Sequence, residues 1–371
     1  MNFQWLSLLF KPSVVLLCLA VRLLSNDYVD KQVLTSVLGP HITLKEATHN
    51  AKTVRAHSII TSNKYVQLAQ GLQQQISSKM RIFSVVCSTP VLRSPLLDLD
   101  SVTITSGRTL DQNKPALVIF TSGSTGPPKG VAIRRYNLYA LARYVVNSLR
   151  IDRNTTIVQF LPTHHATGLL FNTLPALVGG GCVVFSQGAF DAAKVWERFR
   201  EGGLPSFSAV PTVYVRLLRH WETVLSKLPQ EEMDSYRAAV SAIVSFHSST
   251  SALPREVGLK WKELVGKAIT ERYGGSEAGG VYSNVIGEPV VPGSVGKRIR
   301  LTESKLSSGD HGEVLVRGPF LFMKWVDNLQ TAWNLISSRS YQEVNLTRSF
   351  ILDTCSIQRR LGDRSTRMAF T

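Results

Sequence analysis

Cysteine is scarce and scattered. The four present, Cys18, Cys87, Cys182 and Cys355, form no CxxC pair. That excludes a disulfide-stapled small fold and a cysteine-held zinc site, and it fits reduced thiols in an intracellular protein, cytoplasmic or organellar. Acidic residues are also in deficit, 26 Asp+Glu against 42 Lys+Arg, for a net charge of +16. Such a surplus favours anionic partners: nucleotides and other phosphate-bearing molecules, nucleic acid, or a negatively charged membrane face. No block of five or six basic residues stands out, and no zinc-finger spacing or aromatic RNA-binding string occurs, so nucleic acid is not expected as a partner. Long hydrophobic runs are missing too. From Trp5 to Leu24 the chain is mostly apolar, but Lys11, Pro12 and Arg22 interrupt it. The unbroken part, Ser13 to Val21, falls well short of the roughly 20 residues that span a bilayer. Leu23-Leu24-Ser25-Asn26 makes a poor signal cleavage site. Two readings of residues 1–26 therefore stand: membrane contact or an anchor through residues 1–25, or a core helix or mis-started reading frame.

What is present is enough for two or three domains, 371 residues of which 44% are hydrophobic. The chain is organised around Leu117-Val-Ile-Phe-Thr-Ser-Gly-Ser-Thr-Gly-Pro-Pro-Lys-Gly-Val131. The apolar run Ala116 to Phe120 predicts a buried parallel strand. It ends in Thr121, Ser122, Ser124 and Thr125, with Gly123 and Gly126 set among them. Glycine lets backbone approach a ligand closely, while hydroxyls and free N–H groups hold phosphate oxygens. Lys129 adds a mobile cation. The string is not a Walker A loop, because Pro128 precedes the lysine and Gly130 follows it.

The flanks read as alternating strands and helices. Ahead of the loop, Ala56 to Ile60 is a short strand, Asn63 a helix cap, Tyr65 to Ile76 a helix and Arg81 to Cys87 a strand; residues 88–114 form a polar connection. After it come a helix over 136–149, a strand over 156–161, the turn Thr163-His-His-Ala-Thr-Gly168, an apolar helix over 169–178 and a strand over 182–185. Asp191 caps a helix carrying Val195, Trp196 and Phe199. Ser206 to Val210 is a strand, and Pro211 opens a helix running to about Trp221. Ala239 to Phe246 reads as a strand and Pro254 begins another helix. This alternation predicts an α/β fold of mostly parallel sheets flanked by helices. His164 and His165 do not make a zinc site: adjacent histidines should point apart, and no second ligand cluster lies nearby.

A second string, Ile269-Thr-Glu-Arg-Tyr-Gly-Gly-Ser-Glu-Ala-Gly-Gly280, predicts a strand to Tyr273 and a turn after it. A flat aromatic such as Tyr273 beside Gly274 can lie along a purine. The Ser276 hydroxyl can touch a phosphate, and the Glu277 carboxylate can hold Mg²⁺ through oxygen. The bland alternative is a strand turn with a solvated Glu277.

The first string resembles the signature loop of the acyl-adenylate-forming enzymes: acyl-CoA synthetases, adenylation domains and luciferases. The second resembles their Tyr-Gly-X-Thr-Glu pattern, with Ser276 replacing the threonine but keeping the hydroxyl. Val291 to Lys297 and Gly312 to Gly318 continue the likeness, and Pro205 to Gly318 is most similar to the malonyl-CoA-synthetase-like branch. The resemblance implies the large N-terminal domain of these enzymes with the small C-terminal domain missing: residues 27–326 as an adenylation domain incomplete at its start, and 327–371 as an irregular, poorly ordered basic tail. It implies ATP, Mg²⁺ and coenzyme A as co-substrate, with a small-molecule carboxylic acid activated as its adenylate and then passed to the thiol. By carry-over, Thr121 to Gly126 and Lys129 hold the triphosphate, Tyr273 and Gly274 meet adenine, Ser276 meets the α-phosphate, and Glu277 holds Mg²⁺; Lys129, Ser276 and Glu277 are the catalytic set. His165 falls on a histidine lining the acyl pocket. Ser249 takes the place of a glycine beside the adenine, which would crowd the base. The family's Thr-Gly-Asp and its terminal lysine have no counterpart in Asp327 to Thr371, so weak ATP binding and slow turnover are expected. Rival readings are a catalytically dead nucleotide- or acyl-binding remnant, and a membrane-associated basic protein with vestigial motifs. The whole reading requires the turn before Lys129 and the turn at Glu277 to share one nucleotide cleft.

Overall fold

The computed structural model describes residues 17–22, 33–85, 111–121, 127–186, 190–291, 293–308, 311–326, 344–346, 356–358 and 367–369. The chain divides into two compact units, Met1–Arg135 with Trp325–Ile336, and Tyr136–Lys324 with Ser337–Thr371.

The first unit contains β1 (Leu17–Arg22), β2 (Val33–Leu38), α1 (Leu44–Thr53), β3 (Ser58–Ser62), α2 (Val66–Ile76), β4 (Arg81–Val85), β5 (Pro115–Thr121) and β6 (Lys129–Arg134). Thr43-Leu-Lys-Glu46 carries the capping-box pattern that starts α1. The Glu46 amide donates to Thr43 Oγ1 at 3.2 Å, and Glu46 Oε2 accepts from the Thr43 amide at 3.0 Å. The strand at the organising string is deeply buried, with Val118 and Ile119 inside. It pairs in parallel with β2 on one side and antiparallel with β6 on the other.

Three expectations change here. Leu17–Arg22, within the apolar N-terminal stretch, is a strand paired with β2 and β3 rather than part of a helix. Its Leu-Cys-Leu-Ala-Val sequence has no helical caps, and two open strand edges lie ready to receive it. Asn63 does not cap a helix: residues 63–65 form a 3₁₀ turn, α2 follows Tyr65, and Asn63 Oδ1 accepts a hydrogen bond from Ser84 Oγ. The organising segment is one arm of a hairpin, with Thr121 at the end of β5 paired antiparallel to Lys129 at the start of β6. Cys87 and most of the connection before Lys114 lie outside the described residues.

The second unit contains α3 (Arg135–Leu149), β7 (Thr156–Gln159), α4 (Leu174–Val178), β8 (Cys182–Phe185), α5 (Ala192–Arg200), β9 (Ser206–Ala209), α6 (Pro211–Thr223), α7 (Gln230–Ala242), β10 (Ser245–Ser248), α8 (Arg255–Val265), β11 (Ile269–Gly275), β12 (Gly279–Ser283), β13 (Lys297–Arg298), β14 (Glu303–Ser308) and β15 (His311–Arg317). β16 (Lys324–Val326) joins the seven-stranded sheet, whose order is β16-β6-β5-β2-β1-β3-β4. Three short strands follow: β17 (Val344–Leu346), β18 (Ser356–Gln358) and β19 (Arg367–Ala369).

Helices α5 to α8 pack on the sheet of order β13-β12-β11-β10-β9. Trp196, Trp261, Tyr214, Phe199 and Phe246 form the centre of that core, each under 2% exposed. Burial on this scale is the main stabiliser of the unit, at roughly 2–3 kcal/mol for each large apolar side chain. Asp191 caps α5 as expected, accepting from the Ala193 amide at 3.0 Å.

The α/β architecture stands, with a mixture of pairings. Ladders β2–β5, β3–β4, β7–β8, β9–β10 and β10–β11 are parallel. Hairpins add antiparallel ladders wherever a short turn replaces a crossover helix, as at β5–β6, β11–β12 and β14–β15. Ala239 to Ala242 belongs to α7 rather than to a strand, and only Ser245 onward is extended. Tyr236 and Val240, four residues apart and both buried, supply the helical stripe that decides it. The apolar segment after Gly168 starts earlier than expected: Thr167–Thr173 is a π-helical stretch leading into α4.

Candidate active site

Four loops leave the strand ends of the second unit. β7 leads to the His164–His165 turn, β9 to α6, β10 to the loop carrying Ser249, and β11 to the turn of Ser276 and Glu277. In open sheets this carboxyl edge is where ligands gather.

The turn after β7 is wound tightly. The His165 amide donates to the Pro162 carbonyl at 3.1 Å, and the Leu169 amide to the His165 carbonyl at 3.1 Å. The two histidine rings do not point apart; their centroids are 4.3 Å apart at 40°, because a turn rather than an extended strand carries them. Burial lowers the His165 pKa and favours the neutral ring. Behind it, buried Gln159 donates from Nε2 to the Gly168 carbonyl and, at 3.0 Å, to Thr173 Oγ1. Asn172 donates to Gln159 Oε1 at 3.3 Å. This buried network satisfies polar groups that the π-helical stretch would otherwise leave unpaired.

The loop after β10 is tied to the next strand, with the Leu253 amide donating to Glu271 Oε2 at 3.0 Å. Ser249 holds Ala209 through its amide, at 3.3 Å. The left-handed residue of this loop is Thr250, at φ +78°, rather than Ser249. A β-branched residue there is costly, and such strain concentrates at binding sites.

β11 continues through Gly275, two residues past the expected end, and turns back into β12 with a bulge between Tyr273 and Gly274. A Cβ on Gly274 would sit 1.9 Å from the Gly279 carbonyl oxygen, so no other residue fits. The Glu277 carbonyl accepts from the Phe322 amide at 2.7 Å, fixing the turn. Glu277 is half-buried, and burial pushes its carboxyl pKa up. Tyr273 lies 6.3 Å from Tyr282, ring to ring. Phe171, from the π-helical stretch, lies within 3.7 Å of the space a Cβ on Gly280 would fill. The structure thus brings the segment after His165 against the hairpin of Tyr273, Gly274, Ser276 and Glu277.

Sequence reasoning passed over two side chains here. Arg272, next to Tyr273, is half-buried beside Tyr144 and Tyr214, and burial lowers its guanidinium pKa to about 10. Neither Arg272 nor Glu277 makes an ion pair among the described residues. His247, 2% exposed, lies between two hydroxyls: Ser245 Oγ is 3.0 Å from Nε2 and Thr270 Oγ1 is 2.5 Å from Nδ1. Thr270 donates its single proton to the Phe246 carbonyl, so it accepts from Nδ1–H, and Nε2 accepts from Ser245. Burial, with the Arg272 charge nearby, holds the His247 pKa well down and keeps the ring neutral.

In the first unit, Thr121 pairs with Lys129 across the β5–β6 hairpin, and Thr121 Oγ1 donates to the Lys129 carbonyl at 3.4 Å. Ser122, Gly123, Ser124, Thr125 and Gly126 lie outside the described residues. No cluster of three or more His, Cys, Asp or Glu side chains able to hold a metal occurs among the described residues.

A family model described as AMP-binding enzyme matches residues 32–325. The chain belongs to that family. Among curated proteins, it is 32% identical over 254 residues to a mitochondrial malonate–CoA ligase of Xenopus laevis, covering 59% of this chain and 43% of the relative. It is 30% identical to the Mus musculus protein of the same name, covering 64% and 46%, and 30% identical to a malonate–CoA ligase of Arabidopsis thaliana, covering 64% and 40%. The chain therefore spans under half the length of those relatives. Among solved structures, a malonyl-CoA ligase with methylmalonyl-CoA and AMP bound matches with a TM-score of 0.65 at 22% identity, over 82% of this chain and 62% of that one. ATP-bound MatB from Rhodopseudomonas palustris matches at 0.64 and 19%, over 86% and 60%. These likenesses establish the fold of an adenylate-forming enzyme. No described helix is long and apolar enough to cross a membrane.

Proposed function

We propose that residues 27–326 activate a small dicarboxylic acid, with malonate as the leading candidate, by ATP-dependent adenylation, and that the acyl group then passes to coenzyme A. The observation that carries this is a pair of charges on one hairpin that find no opposite charge among the described residues: Arg272 without an acid and Glu277 without a base. An unpaired buried charge is expensive unless a ligand completes it. Arg272 is suited to a carboxylate, which guanidinium binds in a planar fork. Glu277 is suited to Mg²⁺, which takes one or two carboxylates together with substrate phosphate oxygens. When bound, the metal supplies charge neutralisation on the phosphates.

In this reading Thr121 to Gly126 and Lys129 hold triphosphate oxygens. Tyr273 and Gly274 meet the adenine, Ser276 the α-phosphate, and Ser249 borders the base. His165, kept neutral, shapes the acyl pocket wall without adding charge. Arg272 holds the carboxylate that does not react, leaving the other free to attack the α-phosphorus in line and release pyrophosphate. The catalytic gain comes from positioning and from stabilising phosphate charge. The relatives named as mitochondrial ligases support an organellar location.

The test is ATP–pyrophosphate exchange by the purified chain with malonate, methylmalonate, acetate and butyrate. Exchange dependent on the dicarboxylates supports the reading. ATP binding without exchange for any acid would favour the nucleotide-binding remnant, a reading to which the strained Thr250 beside Ser249 lends weight. Exchange with acetate equal to that with malonate would remove Arg272 from the account.

A further inference from the structure

His49, on α1, touches both arms of the hairpin that carries Lys129. Its Nε2 lies 3.0 Å from the Pro128 carbonyl oxygen. A carbonyl can only accept, so Nε2 carries the proton and donates. The same ring meets Phe120 edge-on, with centroids 6.5 Å apart and planes at 69°. Phe120 is the residue before Thr121, and Pro128 the residue before Lys129.

The proline pair limits the donors that the hairpin itself supplies at this end. Pro127 and Pro128 have no N–H, so the antiparallel ladder that ends at Thr121 and Lys129 cannot be carried through them. The Pro128 carbonyl oxygen takes a partner outside the hairpin. It finds it on a helix whose place is well fixed: α1 starts in a capping box, and Ala47 and Ala51 are fully buried beneath it. His49 itself is only half-buried, so its ring is not simply core filling. Gly130, just beyond, is packed so closely that a Cβ there would lie 3.1 Å from Val118. Lys129 therefore stands between a tightly packed strand and a carbonyl pinned by His49.

We propose that His49 is a positioning residue for Lys129, holding the exit of the hairpin so that the lysine cation is presented to nucleotide phosphate. The proposal rests on the nucleotide reading above. His49 touches no substrate and acts only through the Pro128–Lys129 backbone.

The test is Mg-ATP affinity of the purified chain by isothermal titration, with melting temperature measured alongside. His49→Leu keeps bulk against Phe120 and loses the donor; His49→Gln can still donate to Pro128. His49→Leu should weaken ATP roughly two- to tenfold, the range set by one hydrogen bond of ordinary net strength, while His49→Gln stays near wild type. In a Lys129→Ala background, His49→Leu should cost nothing further, an outcome a general loss of stability would not give. Equal affinity of wild type and His49→Leu, an undiminished loss in the Lys129→Ala background, or failure of Gln to rescue would each overturn the proposal. A wild-type chain that does not bind Mg-ATP would overturn both this and the nucleotide reading, whereas wild-type binding unaffected by His49→Leu removes this one alone.

Discussion

Arg272 offers a perturbation whose two effects have opposite signs. Burial lowers its guanidinium pKa to about 10, and no acidic partner among the described residues offsets that cost. At ~1.4 kcal/mol per pH unit, the fall from the ordinary arginine value corresponds to about 3 kcal/mol against the charged form. Relaxation and water penetration reduce this, leaving ~1–2 kcal/mol as the share felt by the fold. Arg272→Met keeps the length of the side chain and removes the charge. Its melting temperature should rise by about 2–8 °C, at ~2–4 °C per kcal/mol for a unit of this size. The same variant should lose dicarboxylate selectivity: malonate-dependent pyrophosphate exchange should drop by at least tenfold while acetate-dependent exchange stays level or improves. Differential scanning fluorimetry and the exchange assay read the two effects on one preparation. A fall in melting temperature would mean the guanidinium has a structural partner, and the argument from an unmet charge would fail. Unchanged malonate preference would refute its role in choosing the acid.

Two further outcomes follow from the same geometry. Burial raises the Glu277 pKa. A carboxyl whose folded value lies above its unfolded value favours the folded state at low pH, and that advantage is lost as pH rises through the folded value. Glu277→Gln should therefore melt a degree or two higher than wild type at pH 7 and no higher at pH 4, while losing Mg-ATP affinity; fluorimetry across that range, with and without Mg-ATP, checks it. A Cβ on Gly168 would lie 2.3 Å from the Pro162 carbonyl oxygen and 3.0 Å from that of Leu161. Because both obstacles are backbone, Gly168→Ala must shift the His164–His165 turn, costing ~1–3 kcal/mol. Acid KM should rise severalfold with ATP KM unchanged, as steady-state kinetics would show.

Much of the second unit was legible because its signals are local. Asp191 before α5, Pro211 at the head of α6 and the buried stripe of Val195, Trp196 and Phe199 need only neighbours in sequence to be understood. The reading failed where distant partners decide. Leu17–Arg22 is extended because two strands elsewhere accept it, which its apolar composition could not announce. Ala239 to Ala242 suits either structure by propensity, and helix won through the packing of Tyr236 and Val240. At the site, Tyr273, Ser276 and Glu277 were visible because glycine and a carboxylate mark that turn. Arg272 was hidden by ignorance of its surroundings, since an arginine in a strand is ordinary until it lacks an acid. His49 gave no sequence signal, its partner Pro128 being 79 positions away.

The central claim is that the acid is activated by attack on the α-phosphorus of ATP. Malonate labelled with ¹⁸O in its carboxylates, incubated with the chain, Mg-ATP and coenzyme A, tests this directly by mass spectrometry of the nucleotide product. The account predicts AMP carrying one ¹⁸O. Label in inorganic phosphate, with ADP formed instead of AMP, would contradict it.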